Sequence, residues 1–120
     1  MMKIAISSTG PELSSPMDVR FGRAAGFVIM ETDSGDFEYV DNEQNFTLPQ
    51  GAGIQSAQNV AATGAKVVIT GHAGPKAYKA LEHGGIALYL GQGGTVQEAV
   101  DAFKAGMLEA AQGPDKEGHW

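Results

Sequence analysis

Three short apolar runs of this chain each end in a small, glycine-rich turn, and this recurrence constrains the fold more than any other feature. The runs cover residues 3–7, 66–70 and 86–90, and the turns that follow them cover residues 8–10, 71–74 and 91–94. Helical signals follow the second and third turns, so the pattern predicts parallel strands joined by helical crossovers. Ligands of such sheets bind at the carboxyl ends of the parallel strands. We therefore expect a ligand site where these turns meet, since backbone can approach a ligand closely there.

The other elements complete a mixed arrangement. Two further strands are predicted over residues 26–32 and 37–41, and helices over residues 54–63, 75–83 and 95–111. The order β-β-β-α-β-α-β-α predicts an α/β fold with a five-stranded mixed sheet, antiparallel at one edge and covered by helices along its parallel part. Residues 1–112 are expected to form a single domain, 113–120 a flexible C-terminal tail, and 42–53 a long polar loop.

The chain is acidic and contains no cysteine, with a formal net charge of −6. The acidic balance argues against a nucleic-acid partner, which needs a basic face. The lack of cysteine excludes disulfides, thiolate-held clusters, zinc fingers and a cysteine nucleophile. No apolar run approaches the ~20 residues of a membrane span, and the start is too short for a signal peptide. We therefore expect a cytoplasmic protein with no membrane partner.

Both arginines of the chain, Arg20 and Arg23, lie in one glycine-containing loop. The segment 44–81 has no Asp or Glu, yet it holds Lys66, His72, Lys76 and Lys79. Together they predict one electropositive pocket on an otherwise acidic protein. The guanidinium fork suits oxyanions and other diffuse anions. The alternative is that both arginines are solvated, with Asp18 as a local ion-pair partner.

Enzymatic sites have little support in the sequence. A serine-type site lacks a G-x-S-x-G elbow and an acidic residue to orient His72. A metal-dependent nuclease needs several converging acids, whereas the predicted rim has only Glu12 and Asp18. The glycine-containing segments 51–56 and 91–94 lack the third glycine of a dinucleotide motif and the lysine of a P-loop, respectively. Both are predicted to be helix entries.

Anion or cluster binding fits the residues better. Positive charge can come from Arg20, Arg23, His72 and Lys76. The helix starts at Gly53 and Gly74 can supply N–H donors, and the Met17 thioether suits a thiophilic metal such as Cu(I). The alternatives are that His72 bonds a neighbouring backbone group and that Met17 packs over the core.

Several motifs resemble the nitrogenase iron–molybdenum cofactor carrier and assembly domains. They are the F-G-R-A turn at 21–24 and the I-T-G-x-x-G-x-x-A stretch at 69–77, with the first strand, the loop 45–53 and the helix from Thr95. The resemblance reaches to about Met107. It implies a three-layer α/β/α ribonuclease-H-like sandwich with a five-stranded mixed sheet, and binding of anionic metal–sulfur clusters without established catalysis. The resemblance is strongest to those family members that occur in sulfate-reducing bacteria. These proteins hold a mixed molybdenum–copper sulfide cluster without cysteine ligands.

The resulting hypothesis is a non-enzymatic protein that carries an anionic molybdenum-containing metal–sulfur cluster by non-covalent contacts. A molybdenum–copper sulfide cluster is expected, with iron–molybdenum cofactor or its precursor as the alternative cargo. Alternative functions are a ribonuclease-H-like nuclease and a protein-binding adaptor without cofactor. The predicted cofactor contacts are Arg20, Phe21, Gly22, Arg23, Gly51, Gly53, Gly71, His72, Gly74 and Lys76, with metal contacts from Met17 and His72. Residues 51–53 are expected to close over the cluster.

Overall fold

The computed structural model describes residues 2–42, 52–91 and 93–111 as an α/β fold. Its strands are β1 (Lys3–Ser8), β2 (Gly26–Glu31), β3 (Phe37–Asp41), β4 (Val67–Thr70), β5 (Ala87–Leu90) and β6 (Glu109–Ala110). Its helices are α1 (Ala52–Ala62), α2 (Pro75–His83) and α3 (Val96–Lys104). None of the helices in these ranges is long and apolar enough to cross a bilayer.

The strands form one mixed sheet in the order β3-β2-β1-β4-β5-β6. β1 pairs antiparallel with β2 and parallel with β4, and β4 pairs parallel with β5. The antiparallel edge arises because β2 and β3 are joined by a short turn, which reverses the chain. The carboxyl ends of β1, β4 and β5 therefore share one edge of the sheet, as the glycine-rich turns predicted.

The predicted number of five strands is wrong, because the chain returns to the sheet after α3. The helix predicted to reach residue 111 ends at Lys104, and Gly106 then adopts a φ of 73°, which glycine tolerates. Leu108 packs on the core, and residues 109–110 pair antiparallel with β5 as β6. The ribonuclease-H-like label stays a prediction.

Helices cover both faces of the sheet and give three layers. On one face, Ala5 of β1 and Val68 of β4 share a core cluster with side chains of α1 and α2. On the other face, Ile4 and Ile6 of β1 pack with Val100 of α3 in a second cluster. Strand side chains alternate between the two faces, so these short apolar runs contribute to both cores.

Parts of the predicted long loop and the predicted tail lie outside the described residues, namely 43–51 and 112–120. The one described residue at the start of the loop, Asn42, is fully buried. Its backbone N–H donates to the Ala25 carbonyl at 2.8 Å, so the chain stays attached to the sheet up to this point. The domain boundary at residue 112 stays a prediction.

Candidate functional site

Residues 18–24, which contain both arginines and are called the arginine loop below, are joined to the carboxyl ends of β1 and β4 by backbone hydrogen bonds. The Asp18 N–H donates to the Ser7 carbonyl at 2.9 Å, and the His72 N–H donates to the Val19 carbonyl at 2.9 Å. The Phe21 N–H donates in turn to the His72 carbonyl at 3.2 Å. Arg20 and His72, distant in sequence, thus lie side by side as a short parallel bridge.

This bridge needs a glycine at position 71. A Cβ at Gly71 would lie 2.6 Å from the Cβ of Val19 and 2.7 Å from its carbonyl oxygen, closer than real atoms approach. Only a residue without a side chain lets the arginine loop contact the end of β4. Gly71 therefore allows the two segments that carry Arg20 and His72 to lie next to each other.

A pocket of about 530 Å³ opens between the arginine loop, the turn after β4 and the starts of α1 and α2. Eight of the ten predicted cofactor contacts line it: Arg20, Phe21, Gly22, Arg23, Gly53, His72, Gly74 and Lys76. Of the other two, Gly71 is not among the lining residues, and Gly51 lies outside the part of the chain that the structure describes. The structure thus gathers residues from three separate stretches of sequence around one space.

A buried polar network holds α1 against the arginine loop. The Ser56 hydroxyl donates to the Gly22 carbonyl at 3.2 Å and accepts from the Asn42 side-chain amide at 3.1 Å. That amide also donates to the Ala24 carbonyl, and the Asn59 amide donates to the Asn42 carbonyl oxygen at 2.9 Å. Ser56 and Asn42 are both fully buried, so these bonds act in a low dielectric. The network fixes the start of α1 beside the pocket.

Two helix N-termini meet at the pocket. Ala52 and Gly53 begin α1, whereas Gly74 is the N-cap of α2 with an extended backbone and no side-chain hydrogen bond to the helix. Neither helix has an acidic residue in its first turn. Backbone N–H groups at such ends attract anions, by about 0.3–1 kcal/mol for each helix at exposed positions.

The third helix starts at the same edge of the sheet but is capped by the protein itself. The Thr95 hydroxyl accepts from the Glu98 N–H at 3.1 Å, and the Glu98 carboxylate accepts from the Thr95 N–H at 2.8 Å. The Val96 and Gln97 N–H groups donate to carbonyls of Ser15 and Leu13. The turn after β5 is therefore closed to an anion, although its sequence resembles the other two turns.

The residues that line the pocket combine cationic side chains with apolar ones. Arg20, Arg23, His72 and Lys76 line it, and no acidic residue is among its described lining residues. The apolar lining residues were not predicted from the sequence; they are Ala52, Ala73, Pro75 and Ala77. Each of them is adjacent in sequence to Gly53, Gly74 or Lys76, which were predicted, and this adjacency could have identified them.

The predicted metal ligand Met17 lies elsewhere. Its side chain is 5% exposed and packs in the core between the sheet and α3, with Ile6 and Val96 in the same cluster. Its N–H donates to the Gly94 carbonyl at 2.8 Å. The structure does not bring Met17 into the pocket with His72, and its role as a soft ligand stays a prediction.

Comparisons with known proteins place the chain in a family. Residues 2–106 match the model of the dinitrogenase iron–molybdenum cofactor family. An uncharacterized protein of Methanocaldococcus jannaschii is 31% identical over 112 residues, and the match covers 91% of this chain and 91% of that one. The chain belongs to this dinitrogenase iron–molybdenum cofactor family, as its motifs predicted.

Solved structures agree with this assignment. The apo form of the orange protein from Desulfovibrio gigas is 46% identical with a TM-score of 0.93, over 97% of this chain and 98% of that one. A NifB-like protein from Thermotoga is 38% identical with a TM-score of 0.86, over 98% and 100% of the two chains. The expected likeness to a protein of a sulfate-reducing bacterium is therefore confirmed.

Proposed function

We propose that this protein carries an anionic molybdenum-containing metal–sulfur cluster, held by non-covalent contacts in the pocket between the arginine loop, α1 and α2. The observation that carries the proposal is the convergence of Arg20, Arg23 and Lys76 with two helix N-termini on one space. Charge-assisted hydrogen bonds contribute about 1.5–3 kcal/mol each, so a few such contacts hold a cluster reversibly after the cost of ordering it.

The apolar wall favours a sulfur-rich anion over an oxoanion. Ala73, Pro75 and Ala77 are among the residues that line the pocket, and Pro75 is exposed to solvent. A strongly hydrated oxoanion loses water against such a surface without gaining hydrogen bonds in return. A thiometallate spreads its charge over large, polarisable sulfides, which lose less hydration against the same wall.

The chemistry of the donors matches a cluster that brings its own sulfide ligands. The chain has no cysteine, so it offers N–H donors and positive charge instead of thiolates. Among the described residues that line the pocket, His72 is the one whose side chain is a common ligand of copper. These properties support a molybdenum–copper sulfide cluster as the cargo, with iron–molybdenum cofactor or its precursor as the alternative.

A binding role without catalysis is part of the proposal, and the nuclease alternative can be tested directly. Nuclease sites of this kind need several acids around divalent metal ions, and no group of three or more potential ligands among His, Asp and Glu meets within residues 2–42, 52–91 and 93–111. Magnesium-dependent cleavage of RNA or DNA that Asp18→Asn abolishes would favour the nuclease. Capture of a protein partner without any coloured cofactor would favour the adaptor.

Titration with tetrathiomolybdate, alone and then with Cu(I), tests the proposed cargo. We expect visible charge-transfer absorption that stays with the protein on desalting, and no comparable retention of molybdate at equal concentration. Lys76→Ala is expected to weaken binding, whereas Lys79→Ala, an exposed lysine of the same helix outside the pocket lining, should not. Metals that wash off the wild-type protein, or equal losses in both lysine variants, would contradict the proposal.

A further inference from the structure

Asp18 is the buried acid next to the pocket. Its side chain is 6% exposed, whereas the Arg20 side chain that it contacts is 58% exposed. One carboxylate oxygen, Oδ1, accepts the backbone N–H of Arg20 at 3.0 Å and the guanidinium Nε–H at 3.3 Å. The other, Oδ2, lies 3.5 Å from Nη2. The carboxylate therefore contacts both the backbone and the side chain of the same arginine.

Asp18 is itself held in place by β1. Its N–H donates to the Ser7 carbonyl at 2.9 Å, and its own carbonyl accepts from the Ser7 hydroxyl. The same hydroxyl lies 2.7 Å from the Thr70 hydroxyl, so the anchor reaches β4. Ser7 and Thr70 are fully buried. A carboxylate on so rigid a base can fix the direction of a long, exposed side chain.

A guanidinium group has two bidentate edges, and Asp18 contacts the edge formed by Nε and Nη2. The edge formed by Nη1 and Nη2 points away from the carboxylate. Arg20 also lines the pocket, and its outer edge, formed by Nη1 and Nη2, is the bidentate edge that Asp18 does not contact.

We infer that Asp18 is a positioning residue, which aims the outer edge of the Arg20 guanidinium at the bound anion. The inference rests on the proposed function, because it assigns Asp18 a part in the same site. Two effects of Asp18 oppose each other: its negative charge repels an anion, while its hydrogen bonds order Arg20. The inference requires the ordering effect to be the larger one.

The first test needs no ligand. The chain has only two arginines, so a ¹⁵N spectrum of the side chains shows two Nε–H signals, which Arg20→Lys assigns. Asp18→Asn keeps an acceptor for the Arg20 backbone N–H but removes the charge that orients the guanidinium. We expect faster hydrogen exchange and a lower order parameter at Arg20 Nε, with Arg23 Nε unchanged. An Arg20 signal that Asp18→Asn leaves unaltered would overturn the inference.

The second test uses tetrathiomolybdate as the anion in a double-mutant cycle. Asp18→Asn is expected to weaken binding on the order of tenfold in the wild-type background and not at all when Arg20 is already alanine. Asp33→Asn is the matched control, since it removes the same charge from an exposed turn at the opposite edge of the sheet. Its affinity should equal that of the wild type.

The outcomes separate the inference from the proposed function. Tighter or unchanged binding in Asp18→Asn would show that the ordering effect is not the larger one, and would overturn the inference while the carrier role stands. An equal loss in both backgrounds would overturn it as well, because Asp18 would not act through Arg20. A wild-type protein that does not bind tetrathiomolybdate would contradict the proposed function, and the exchange measurement would still decide whether Asp18 orders Arg20.

Discussion

At the scale of single residues, the two arginines are distinguished by their surroundings. The sequence presents them as a pair in one loop, yet Arg20 forms an ion pair with a buried carboxylate beside the bridge to His72. The ion pair that the sequence offered as an alternative to anion binding is thus present, and Arg20 also lines the pocket. The two interpretations are therefore compatible, because a guanidinium can contact an acid and an anion through different edges.

Arg20→Ala is expected to lower the free energy of unfolding by about 1–2 kcal/mol, because Asp18 would keep its buried charge without this cation. Adding Asp18→Asn should recover much of that loss, since the double variant has no carboxylate to bury. Urea denaturation measures both changes, with Lys79→Ala as an exposed control. Equal stability of all four proteins would mean that the ion pair contributes nothing to folding.

Gly71→Ala is expected to destabilise the protein by about 1–3 kcal/mol, because its Cβ would collide with the backbone of Val19. The collision pushes the arginine loop away from β4, so affinity for tetrathiomolybdate should fall as well. Gly84→Ala is the matched control, since its Cβ would find ordinary contacts of 3.5 Å or more and the φ of −83° suits alanine. A harmless Gly71→Ala would refute the close approach of the loop.

At the scale of secondary-structure elements, the three helices of the described residues start at one edge of the sheet, but their N-terminal ends differ. The capping box of α3 and the carbonyls of residues 13 and 15 satisfy its first N–H groups. The N-cap of α2 is a glycine without a capping side chain, directly at the pocket. A glycine in place of a capping side chain costs a helix only a few tenths of a kcal/mol, and it leaves this end accessible to a ligand.

Gly74→Asp is expected to stabilise the free protein by a few tenths of a kcal/mol, because a carboxylate at the N-cap accepts from the first turn of α2. The same carboxylate should weaken anion binding by about tenfold or more, since it occupies the donors and adds a negative charge. Denaturation and tetrathiomolybdate titration measure the two effects.

Thr95→Ala is expected to have a different pair of effects from Gly74→Asp. It removes the cap of α3, so stability should fall by about 1 kcal/mol while affinity stays unchanged. Anion affinity that survives Gly74→Asp would show that the N-terminus of α2 takes no part in binding.

At the scale of the whole molecule, a protein of net charge −6 presents a cationic pocket. The surrounding negative field works against anion binding over distances that salt screens, whereas the close contacts inside the pocket are screened less. The proposed binding is therefore expected to depend on local donors and not on the overall charge.

Ligand binding should also appear in the stability of the fold. Tetrathiomolybdate at a hundred times its Kd is expected to raise the free energy of unfolding by about 2.7 kcal/mol. The same concentration of phosphate should raise it less, because the apolar wall disfavours a strongly hydrated anion. Thermal unfolding with each anion measures the difference, and an equal shift by both would contradict selectivity for sulfur-rich anions.

Most of the fold could be predicted because its signals are local. The strands β1, β4 and β5 are short apolar runs followed by glycine-containing turns, and α2 begins with Pro75 and is followed by a glycine C-cap. β6 could not be predicted, because its two residues carry no strand pattern and their pairing with β5 lies next to Leu108, which packs on the core. Its formation depends on a surface that the rest of the fold provides.

The sequence by itself determined which residues are able to hold an anion: two arginines in one loop, and glycine-rich turns at the ends of parallel strands. These are chemical properties and local conformations, which neighbouring residues decide. Only the tertiary structure decided which turn stays open, that Met17 faces the other core, and that Asp18 contacts one edge of Arg20. Each of these depends on contacts made in three dimensions, above all between distant segments, whose geometry exists only once the sheet has formed.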